Sequence, residues 1–369
     1  MKKIIFVHLF NDRSGSPKVL SQVIKAVHEA GYEAELYSAK SHNGFLSEIL
    51  EKHYEYFFKR SENKYFTLLF YLFSQLNLFL SLLKYRKDNV IIYVNTMMPF
   101  GAALAGKFMK KPVFYHVQET SITPHILKSF LRLVIQKCAN KIIFVSNALK
   151  NREHFDDIEQ LVIHNAIPNE FSVSAFQHIY ASTYNQKFGV LMVCSLKAYK
   201  GVNEFISIAS LCNHYSNITF TLVLNANQTE IDEYFYNLHI PANVTIWSRQ
   251  TNLIPFYLNA NLVMNLSRID QWVETFGLTI LEAMAFGIPV IVPPVGGPDE
   301  IVDDGIEGYK VSSYETEKIA NILMKLSKDE NLCMTLSDAA RKKAINFQEE
   351  NFEKYILDLF KNQMQLNCK

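Results

Sequence analysis

The regular alternation of short apolar segments with longer helical ones constrains the fold of this chain more than any other feature. The predicted strands are residues 4–10, 34–38, 90–94, 113–116 and 141–145 in the first half, and 189–194, 220–224, 244–247 and 261–266 in the second. The predicted helices include residues 16–30, 101–109, 123–138 and 202–212, with two more near 332–346 and 352–362. Strands separated by helices are typical of βαβ units, so the pattern predicts parallel sheets.

The alternation restarts near Phe188, after a polar and irregular stretch at residues 165–187 that we interpret as a linker. The sequence therefore predicts an α/β protein with two Rossmann-like, doubly wound domains that face each other across a cleft. The predicted boundaries are 1–170 for the first domain, 171–345 for the second and 346–369 for a C-terminal helix. Ligands of doubly wound sheets bind at the carboxyl ends of the strands, so the loops at those ends are the places to search for a site.

Composition excludes several classes of function. Of the 369 residues, 49% are apolar and 20% are charged, which describes a globular chain. The net charge is +1, so no bulk positive field favours nucleic acid as a partner. The five cysteines, at positions 138, 194, 212, 333 and 368, form no C-x-x-C pair. We interpret them as buried thiols of a cytoplasmic protein, not as disulfides or metal ligands.

Residues 66–83 form an uncharged apolar run that is long enough to cross a membrane. Basic residues flank it on both sides, at positions 59, 60 and 64 and at positions 84, 86 and 87. Three interpretations are open: a buried or groove-lining helix, a helix lying on the membrane surface, and a true span. A span would separate the first predicted strand from the strand at 90–94 of the same sheet. The membrane surface is therefore a possible partner, at the inner face of the membrane.

Two glutamates, Glu274 and Glu282, occupy positions that indicate chemistry. Glu274 follows the predicted strand 261–266, and Glu282 lies two turns inside a helix predicted over 276–286, with Thr275 as its N-cap. A helix start offers free N–H groups and a partial positive charge, which suit a phosphate. An acid on each side of that start can hold the two sugars of a nucleotide-sugar. Either glutamate alone would be interpreted as an ordinary surface acid.

More of the sequence around this pair follows a known pattern. The segments are Ala-Phe-Gly-Ile-Pro-Val-Ile at 285–291, Gly-Gly-Pro-Asp-Glu-Ile-Val at 296–302, Asp-Gly-Ile-Glu-Gly at 304–308 and Cys-Ser-Leu-Lys-Ala-Tyr-Lys-Gly at 194–201. With the E-x7-E spacing of the two glutamates, they resemble the retaining, nucleotide-sugar-dependent glycosyltransferases of family four, which have the GT-B fold. Pro298 comes one place earlier than in the family, and Cys194 and Ser195 stand where the family has glycine and arginine. The resemblance is strong over residues 190–310 and looser over the first 170.

The resemblance implies a nucleoside-diphosphate sugar, with UDP or GDP, as the donor. The implied donor-binding residues are Lys197, Lys200, Phe276, Gly277, Leu278 and Glu282, with Gly15 and Ser16 from the first domain. Glu274 would orient the transferred sugar and Glu282 would accept hydrogen bonds from the ribose. Lys200 would stabilise the leaving diphosphate. Lys197 would replace part of the charge missing at Ser195, without the bidentate geometry of an arginine.

Fewer residues of the first domain match the family. Gly15 and Ser16 lie in the loop after the first strand, where a plain βα turn is an equally good interpretation. Arg13 and Glu119 are candidates for contacts with the acceptor. His116 ends the predicted strand 113–116 and matches a family histidine near the transferred sugar, so it joins Glu274 and Lys200 as a predicted catalytic residue.

The resemblance implies hexosyl transfer with retention of configuration to a glycan or lipid-linked acceptor, in cell-surface polysaccharide assembly. No Asp-x-Asp triplet is present, so we predict neither a metal nor another cofactor. By resemblance, the C-terminal helix at 346–369 crosses back onto the first domain. Two alternatives remain open: a nucleotide-sugar epimerase on the same fold, and a nucleotide-sugar-binding protein without catalytic activity. A dinucleotide oxidoreductase is disfavoured, because no G-x-G-x-x-G follows the first strand.

Overall fold

The computed structural model describes residues 3–40, 44–183 and 186–366. The chain divides into two compact units: residues 1–165 with 350–369, and residues 166–349. The predicted boundaries at 170 and 345 lie within five residues of these divisions. Cys368 lies outside the described residues, and the other four cysteines are free thiols, of which three are buried.

Within the described residues, the first unit contains a seven-stranded sheet with the order β3-β2-β1-β4-β5-β6-β7, in which every pairing is parallel. Its strands are β1 (Lys3–Val7), β2 (Glu33–Ala39), β3 (His53–Tyr56), β4 (Val90–Asn95), β5 (Val113–Val117), β6 (Lys141–Phe144) and β7 (Glu159–Val162). Its helices are α1 (Gly15–Glu29), α2 (Lys64–Leu82), α3 (Phe100–Phe108), α4 (His125–Cys138) and α5 (Asn147–Arg152).

The second unit contains a six-stranded sheet of described residues, also entirely parallel, with the order β10-β9-β8-β11-β12-β13. Before it comes α6 (Asn169–Gln177). Its strands are β8 (Phe188–Cys194), β9 (Ile218–Leu224), β10 (Val244–Trp247), β11 (Leu262–Met264), β12 (Val290–Val292) and β13 (Gly308–Lys310). The other helices are α7 (Val202–Leu211), α8 (Gln228–Phe235), α9 (Ile254–Tyr257), α10 (Leu278–Ala285), α11 (Gly297–Ile301), α12 (Thr316–Leu326) and α13 (Glu330–Ala344).

The last helix, α14 (Glu349–Leu366), contributes to the core of the first unit. The ring of Phe360 is fully buried and lies 5.9 Å from the rings of both Tyr93 and Phe114. These two residues occupy adjacent strands, β4 and β5. The α/β architecture with two parallel sheets confirms the predicted fold class.

The predicted linker at 165–187 is corrected by the structure. Residues 169–177 form helix α6, and the ring of Phe171 packs edge-on against Tyr257 and Phe286 at 5.5 and 5.3 Å. Arg341 donates hydrogen bonds to the carbonyls of Phe176 and His178, near the end of this helix. The segment is polar because much of its surface is exposed, although one face belongs to the core. Polarity alone therefore gave no reason to exclude a helix.

Candidate active site

The order of the second sheet reverses between β8 and β11, so the loops after these two strands diverge from one carboxyl edge. Lys200 lies in the loop after β8, and Glu274 lies in the loop after β11. The Nζ atom of Lys200 lies 2.6 Å from Oε2 of Glu274, and both side chains are less than one-fifth exposed. The structure thus joins two predicted catalytic residues in one partly buried ion pair.

Glu274 is held as a carboxylate. Burial on its own raises the pKa of this carboxyl, but the positive charge of Lys200 and hydrogen bonds from Lys200, Asn265 and Ser267 outweigh burial and leave the pKa below its ordinary value. Ser267 Oγ lies 3.4 Å from Oε2 and is itself buried. Glu274 is therefore a fixed negative charge that accepts hydrogen bonds, which suits the orientation of a sugar.

Close contacts between backbones position this pair. Gly201 adopts φ +80°, and a Cβ atom at this position would lie 2.2 Å from the carbonyl oxygen of Leu266. A Cβ atom on Gly297 would lie 2.3 Å from the Cα atom of Phe276. The N–H of Gly297 donates to the carbonyl of Glu274 at 2.9 Å. Only glycine permits both approaches. The sequence motifs at 194–201 and 296–302 therefore hold the loops after β8 and β11 in place.

The helix after Glu274 begins later than the sequence predicted. Helix α10 starts at Leu278, and the residue before it, Gly277, has φ +104° and is the N-cap. The prediction of Thr275 as N-cap is therefore wrong, because the left-handed backbone at Gly277 is what turns the chain into the helix. Phe276 precedes that turn and is buried against Phe347, with ring centroids 6.1 Å apart. Its predicted contribution to donor binding is thus restricted to the backbone, whereas Leu278 is half-buried at the helix start.

Glu282 lies inside α10 and is only 3% exposed. Its Oε2 atom accepts a hydrogen bond of 2.8 Å from the hydroxyl of Tyr257. Tyr257 is fully buried and stacks on Phe286, with centroids 5.6 Å apart and planes within 9°. The structure therefore gives Glu282 a defined side-chain position, and contact with a ribose remains a prediction.

Two aromatic residues beside Lys200 did not emerge from the sequence. Tyr199 and Trp272 stack at 4.8 Å with nearly parallel rings, and Lys200 Nζ lies 5.2 Å from the centre of the Trp272 ring. The ring of Trp272 thus adds a cation–π contact to the ion pair of the Lys200 ammonium. Tyr199 directly precedes Lys200, and Trp272 lies two residues before Glu274. Their closeness in sequence to two predicted site residues is the signal that could have identified the stack.

The other residues of the loop after β8 differ in accessibility. Lys197 is exposed, and none of the ion pairs found within the described residues includes it. Cys194 ends β8, and burial raises the pKa of its thiol to about 12, so it is an uncharged neighbour of the ion pair. Ser195 follows it. Of the two predicted lysines, only Lys200 is fixed by side-chain contacts in the structure.

The candidate residues of the first unit lie at the carboxyl edge of its sheet. Arg13 and Gly15 are exposed in the loop after β1, and the guanidinium of Arg13 lies 5.7 Å from the centre of the Phe45 ring. Helix α1 begins at Gly15, and the carbonyl of Ser16 accepts a hydrogen bond of 3.1 Å from Asn95. Gly15 and Ser16 thus form the first residues of a helix rather than an isolated turn.

Glu119 lies after β5 and accepts hydrogen bonds from the backbone N–H groups of Met97, at 2.7 Å, and Gln118, at 3.3 Å. Burial raises the pKa of Glu119 to about 7, against the opposing effect of these hydrogen bonds. The carboxyl is therefore able to change its protonation near neutral pH. Its role toward an acceptor stays a prediction.

His116 lies one residue further inside the first sheet than the sequence predicted. His116 lies within β5, which continues to Val117, and its side chain is completely buried. Its Nδ1 atom pairs with the hydroxyl of Tyr93 at 2.8 Å, and burial lowers the pKa of the imidazole to about 3. The Nε2 atom of His116 is buried and has no hydrogen-bond partner among the described residues, and its contact with the sugar stays a prediction.

A polar cluster missed by the sequence analysis lies beside these residues, where the first sheet reverses its order between β1 and β4. His8 Nδ1 lies 3.2 Å from the carbonyl oxygen of Asn95, and Gln118 Nε2 donates to the Asn95 side chain at 2.5 Å. Thr96 adopts φ +70°, which is uncommon outside glycine. The strand end Asn95-Thr96 could have identified the cluster, because polar residues directly after an apolar strand mark a ligand edge.

Among the described residues, no group of three His, Cys, Asp or Glu side chains is arranged to hold a metal ion. The positive charges next to the carboxyl edge of the second sheet include the ammonium of Lys200 and the guanidinium of Arg268, which pairs with Glu204 at 2.8 Å. Beside the Arg268–Glu204 pair, this edge offers an ammonium group, a carboxylate and the N–H groups of a helix start. Such a set suits an anionic, hydroxyl-rich ligand.

Comparisons with known proteins agree with this geometry. Two solved structures share the fold over nearly their whole length. Anabaena HepE in complex with UDP and glucose has a TM-score of 0.80 and 18% identity, covering 98% of this chain and 100% of that one. Sucrose-phosphate synthase from Thermosynechococcus elongatus has a TM-score of 0.77 and 16% identity, covering 99% and 100%. The fold is thus that of the GT-B glycosyltransferases.

The sequence of the second unit also matches a family model. The model described as glycosyl transferases group 1 matches residues 180–343. The match covers most of the stretch in which the sequence resembles family four and confirms that resemblance.

Curated relatives match over shorter stretches. N-acetyl-alpha-D-glucosaminyl L-malate synthase of Bacillus anthracis is 36% identical over 105 residues, which span 28% of this chain and 26% of that protein. The capsular polysaccharide biosynthesis glycosyltransferase CapM of Staphylococcus aureus is 27% identical over 238 residues, 59% of this chain and 61% of the relative. The match therefore covers less than two thirds of either relative's length.

Proposed function

We propose that the protein is a retaining glycosyltransferase that moves a hexosyl group from a nucleoside-diphosphate sugar to a glycan or lipid-linked acceptor. The observation that carries the proposal is the ion pair between Lys200 and Glu274 at the switch point of the second sheet. The ammonium of Lys200 is suited to a leaving phosphate and the carboxylate of Glu274 to a sugar, and the two groups lie within 2.6 Å of each other. Both residues lie inside the stretch that matches the family model.

The donor is proposed to be a UDP-sugar or a GDP-sugar. Solved structures of HepE, which shares the fold, contain UDP or UDP-glucose. In our proposal the diphosphate lies against the start of α10 and the ammonium of Lys200, and Glu282 accepts from the ribose. Lys197, being exposed, is free to approach the same diphosphate on binding.

The proposed reaction breaks the bond between the anomeric carbon and the diphosphate oxygen. A new bond forms between that carbon and the acceptor oxygen on the same face of the sugar. The acceptor proton passes to the departing phosphate, so no protein base is required. Negative charge grows on the leaving oxygen, and Lys200 is the group placed to stabilise it. A lysine does this without a metal ion, so we propose metal-independent transfer.

The acceptor belongs to cell-surface polysaccharide assembly in our proposal. The relative CapM carries a capsular polysaccharide biosynthesis name, which supports a polymeric or lipid-linked acceptor. The enzyme would work in the cytoplasm, at the inner face of the membrane. The loops of the first unit that contain Arg13 and Glu119 are the proposed acceptor contacts.

A panel of UDP- and GDP-sugars, each incubated with lipid-linked and free glycans, tests this function. We expect mass spectrometry to show a gain of one hexosyl unit with a single donor, and NMR to show the anomeric configuration of the donor in the product. A chelator in excess over any metal should leave the rate nearly unchanged. Loss of activity that manganese restores would contradict metal independence. Conversion of the donor into a different nucleotide-sugar without acceptor would identify an epimerase instead.

A further inference from the structure

Helix α2 buries a mixed set of polar and apolar residues and exposes most of its large apolar residues. Ser74 and Gln75 are no more than 1% exposed, whereas Leu69 and Phe73 are more than half exposed. Leu78 and Leu82 are buried as well, but the usual amphipathic helix of a globular protein does not expose a second apolar side. Packing within the first unit therefore explains only part of the apolar composition of α2.

The inward face of α2 is fixed by specific contacts. The N–H of Gly101 donates to Gln75 Oε1 at 3.1 Å, and a Cβ at position 101 would lie 2.1 Å from the carbonyl oxygen of Gln75. Tyr71 donates its hydroxyl proton to the carbonyl of Met98 at 2.5 Å. Helices α2 and α3 thus cross at close range. The helix cannot rotate to bury its apolar side without losing these contacts.

We define the apolar face by the exposed large apolar side chains of α2 and its neighbours. On α2 they are Tyr65, Phe66, Leu68, Leu69, Leu72, Phe73, Leu76 and Leu80; on α3 they are Leu104 and Phe108; on α4 they are Ile126, Phe130 and Leu133. Helix α2 packs on α3, and α3 on α4, as shown by the ring contacts Phe79–Phe108 at 6.0 Å and Phe100–Phe130 at 5.0 Å. Contiguous apolar surface of this kind marks an interaction site.

Basic residues border the apolar face. Exposed lysines and arginines lie before α2 at Lys59, in its first turn at Lys64, after it at Arg86 and Lys87, and along α3 and its end at Lys107 and Lys110. Glu62 and Asp88 are the acids of the same flanks. Lys84 is less available than the sequence suggests, because its ammonium lies 3.9 Å from the centre of the Tyr54 ring. An apolar centre with a basic border complements the anionic surface of a lipid bilayer.

We propose that the apolar face lies on the surface of an anionic bilayer, with α2 parallel to the membrane and partly immersed among the acyl chains. Within the described residues, α2 with its short extension, residues 64–87, is the one helix long and apolar enough to cross a membrane. The strands before and after it, β3 and β4, belong to one sheet, so a span would place them on opposite sides of the bilayer. The membrane-surface interpretation is therefore the one that the structure favours among the three.

Flotation of the purified full chain with vesicles tests the proposal, with no sugar-nucleotide present. Vesicles of phosphatidylglycerol mixed with phosphatidylcholine should carry the protein, and vesicles of phosphatidylcholine alone should carry at least tenfold less. The variant Leu69→Gln/Phe73→Gln/Leu76→Gln should lose binding, because it makes the exposed side of α2 polar. Its control is Val173→Gln/Tyr236→Gln/Ile306→Gln, which changes three large residues of the second unit that are each more than half exposed and should bind as the wild type does.

A charge variant separates electrostatic from apolar binding. Arg86→Gln/Lys87→Gln should reduce the bound fraction several-fold at moderate salt and little at low salt, whereas the exposed pair Lys325→Gln/Lys342→Gln in the second unit should not. Unchanged flotation of the α2 triple variant, or no binding of the wild type to anionic vesicles, would overturn the proposal. Sedimentation that shows a dimer, converted to monomer by the same triple variant without any vesicle binding, would assign the face to a second copy of the chain. Because no donor is used, failure of this proposal leaves the proposed glycosyl transfer untouched, and the reverse also holds.

Discussion

Glu274 and Glu282 carry the same carboxyl group in different surroundings. Glu274 pairs with Lys200 and keeps its negative charge, whereas Glu282 is almost completely buried and accepts from Tyr257. In our account, Glu274 acts on the reacting sugar and Glu282 on the ribose, which does not react. Their removal should therefore affect different steps of the reaction.

We expect Glu274→Gln to lower kcat by about 100-fold and Glu282→Gln to raise the donor KM with little change in kcat. The first loss removes a charge where positive charge develops in the transition state, and the second removes a contact equally strong in ground and transition states. Steady-state kinetics at saturating acceptor measure both, with thermal melts as a control for folding. If both variants lose only donor affinity, or the pattern is reversed, this division of roles is wrong.

His116 makes the stability of the first unit sensitive to acid. Its pKa is lowered to about 3 by burial, from 6.5, so between these values the unfolded chain takes up a proton that the folded chain does not. The stability that depends on neutral His116 is complete above pH 6.5 and is lost as pH falls toward 3. In His116→Gln, the free energy of unfolding should change with pH less steeply, by about 1.4 kcal/mol per pH unit in this window. Hydrogen exchange of peptides from β4 and β5 measures this free energy of unfolding as a function of pH. The same pH slope in the wild type and in His116→Gln would contradict a neutral, buried imidazole.

At the scale of elements, glycine at position 201 allows the loop after β8 to approach β11. Gly201 and Gly305 have nearly the same φ, +80° and +77°, but a Cβ at 201 would collide with the Leu266 carbonyl, whereas a Cβ at 305 would meet nothing within 4 Å. Each alanine substitution adds backbone strain of roughly 1 kcal/mol or more. The collision should make Gly201→Ala the more destabilising of the two, and only Gly201→Ala should weaken donor binding by displacing Lys200. Equal melting temperatures and equal donor affinities for the two variants would show that the close approach does not matter.

The sequence predicted elements with clear apolar periodicity and missed those without it. Strands β1, β4, β5, β8 and β9 lie where the apolar runs predicted them. Edge strands β3 and β7 were missed, since His53–Tyr56 and Glu159–Val162 have no continuous apolar run. The orientation of α2 was also beyond sequence reasoning. Which side of a helix faces the protein depends on neighbours such as Gly101, which are distant in sequence.

Sequence reasoning predicted only the part of the candidate site that depends on local motifs. Lys200 and Glu274 were found because motif spacing fixes residues close in sequence to a strand end. The stack of Tyr199 on Trp272 and the link between Asn95 and Gln118 join residues from different loops, so periodicity gives no signal for them. The strand predicted to end at His116 continues to Val117, and the imidazole is buried in the structure. A difference of one residue at a strand end was beyond sequence reasoning.

At the scale of the whole molecule, different observations support the proposed roles of the two units. The second unit matches a family model over residues 180–343 and contains the ion pair on which the proposed donor site depends. The first unit carries the polar cluster at Asn95, the candidate acceptor residues and the apolar face. The account thus assigns donor chemistry to the second unit, and acceptor and membrane contacts to the first.

The measurement that tests the central claim most directly counts both products of one reaction. With the donor and acceptor identified by the panel, the nucleoside diphosphate released and the hexosyl units gained by the acceptor should be equal in amount. Lys200→Ala should lower both together, by about 100-fold to 1,000-fold, as loss of one contact to a developing anion does, and Lys197→Ala should lower them less. Release of nucleotide without gain of mass on the acceptor, or full transfer by Lys200→Ala, would contradict the account.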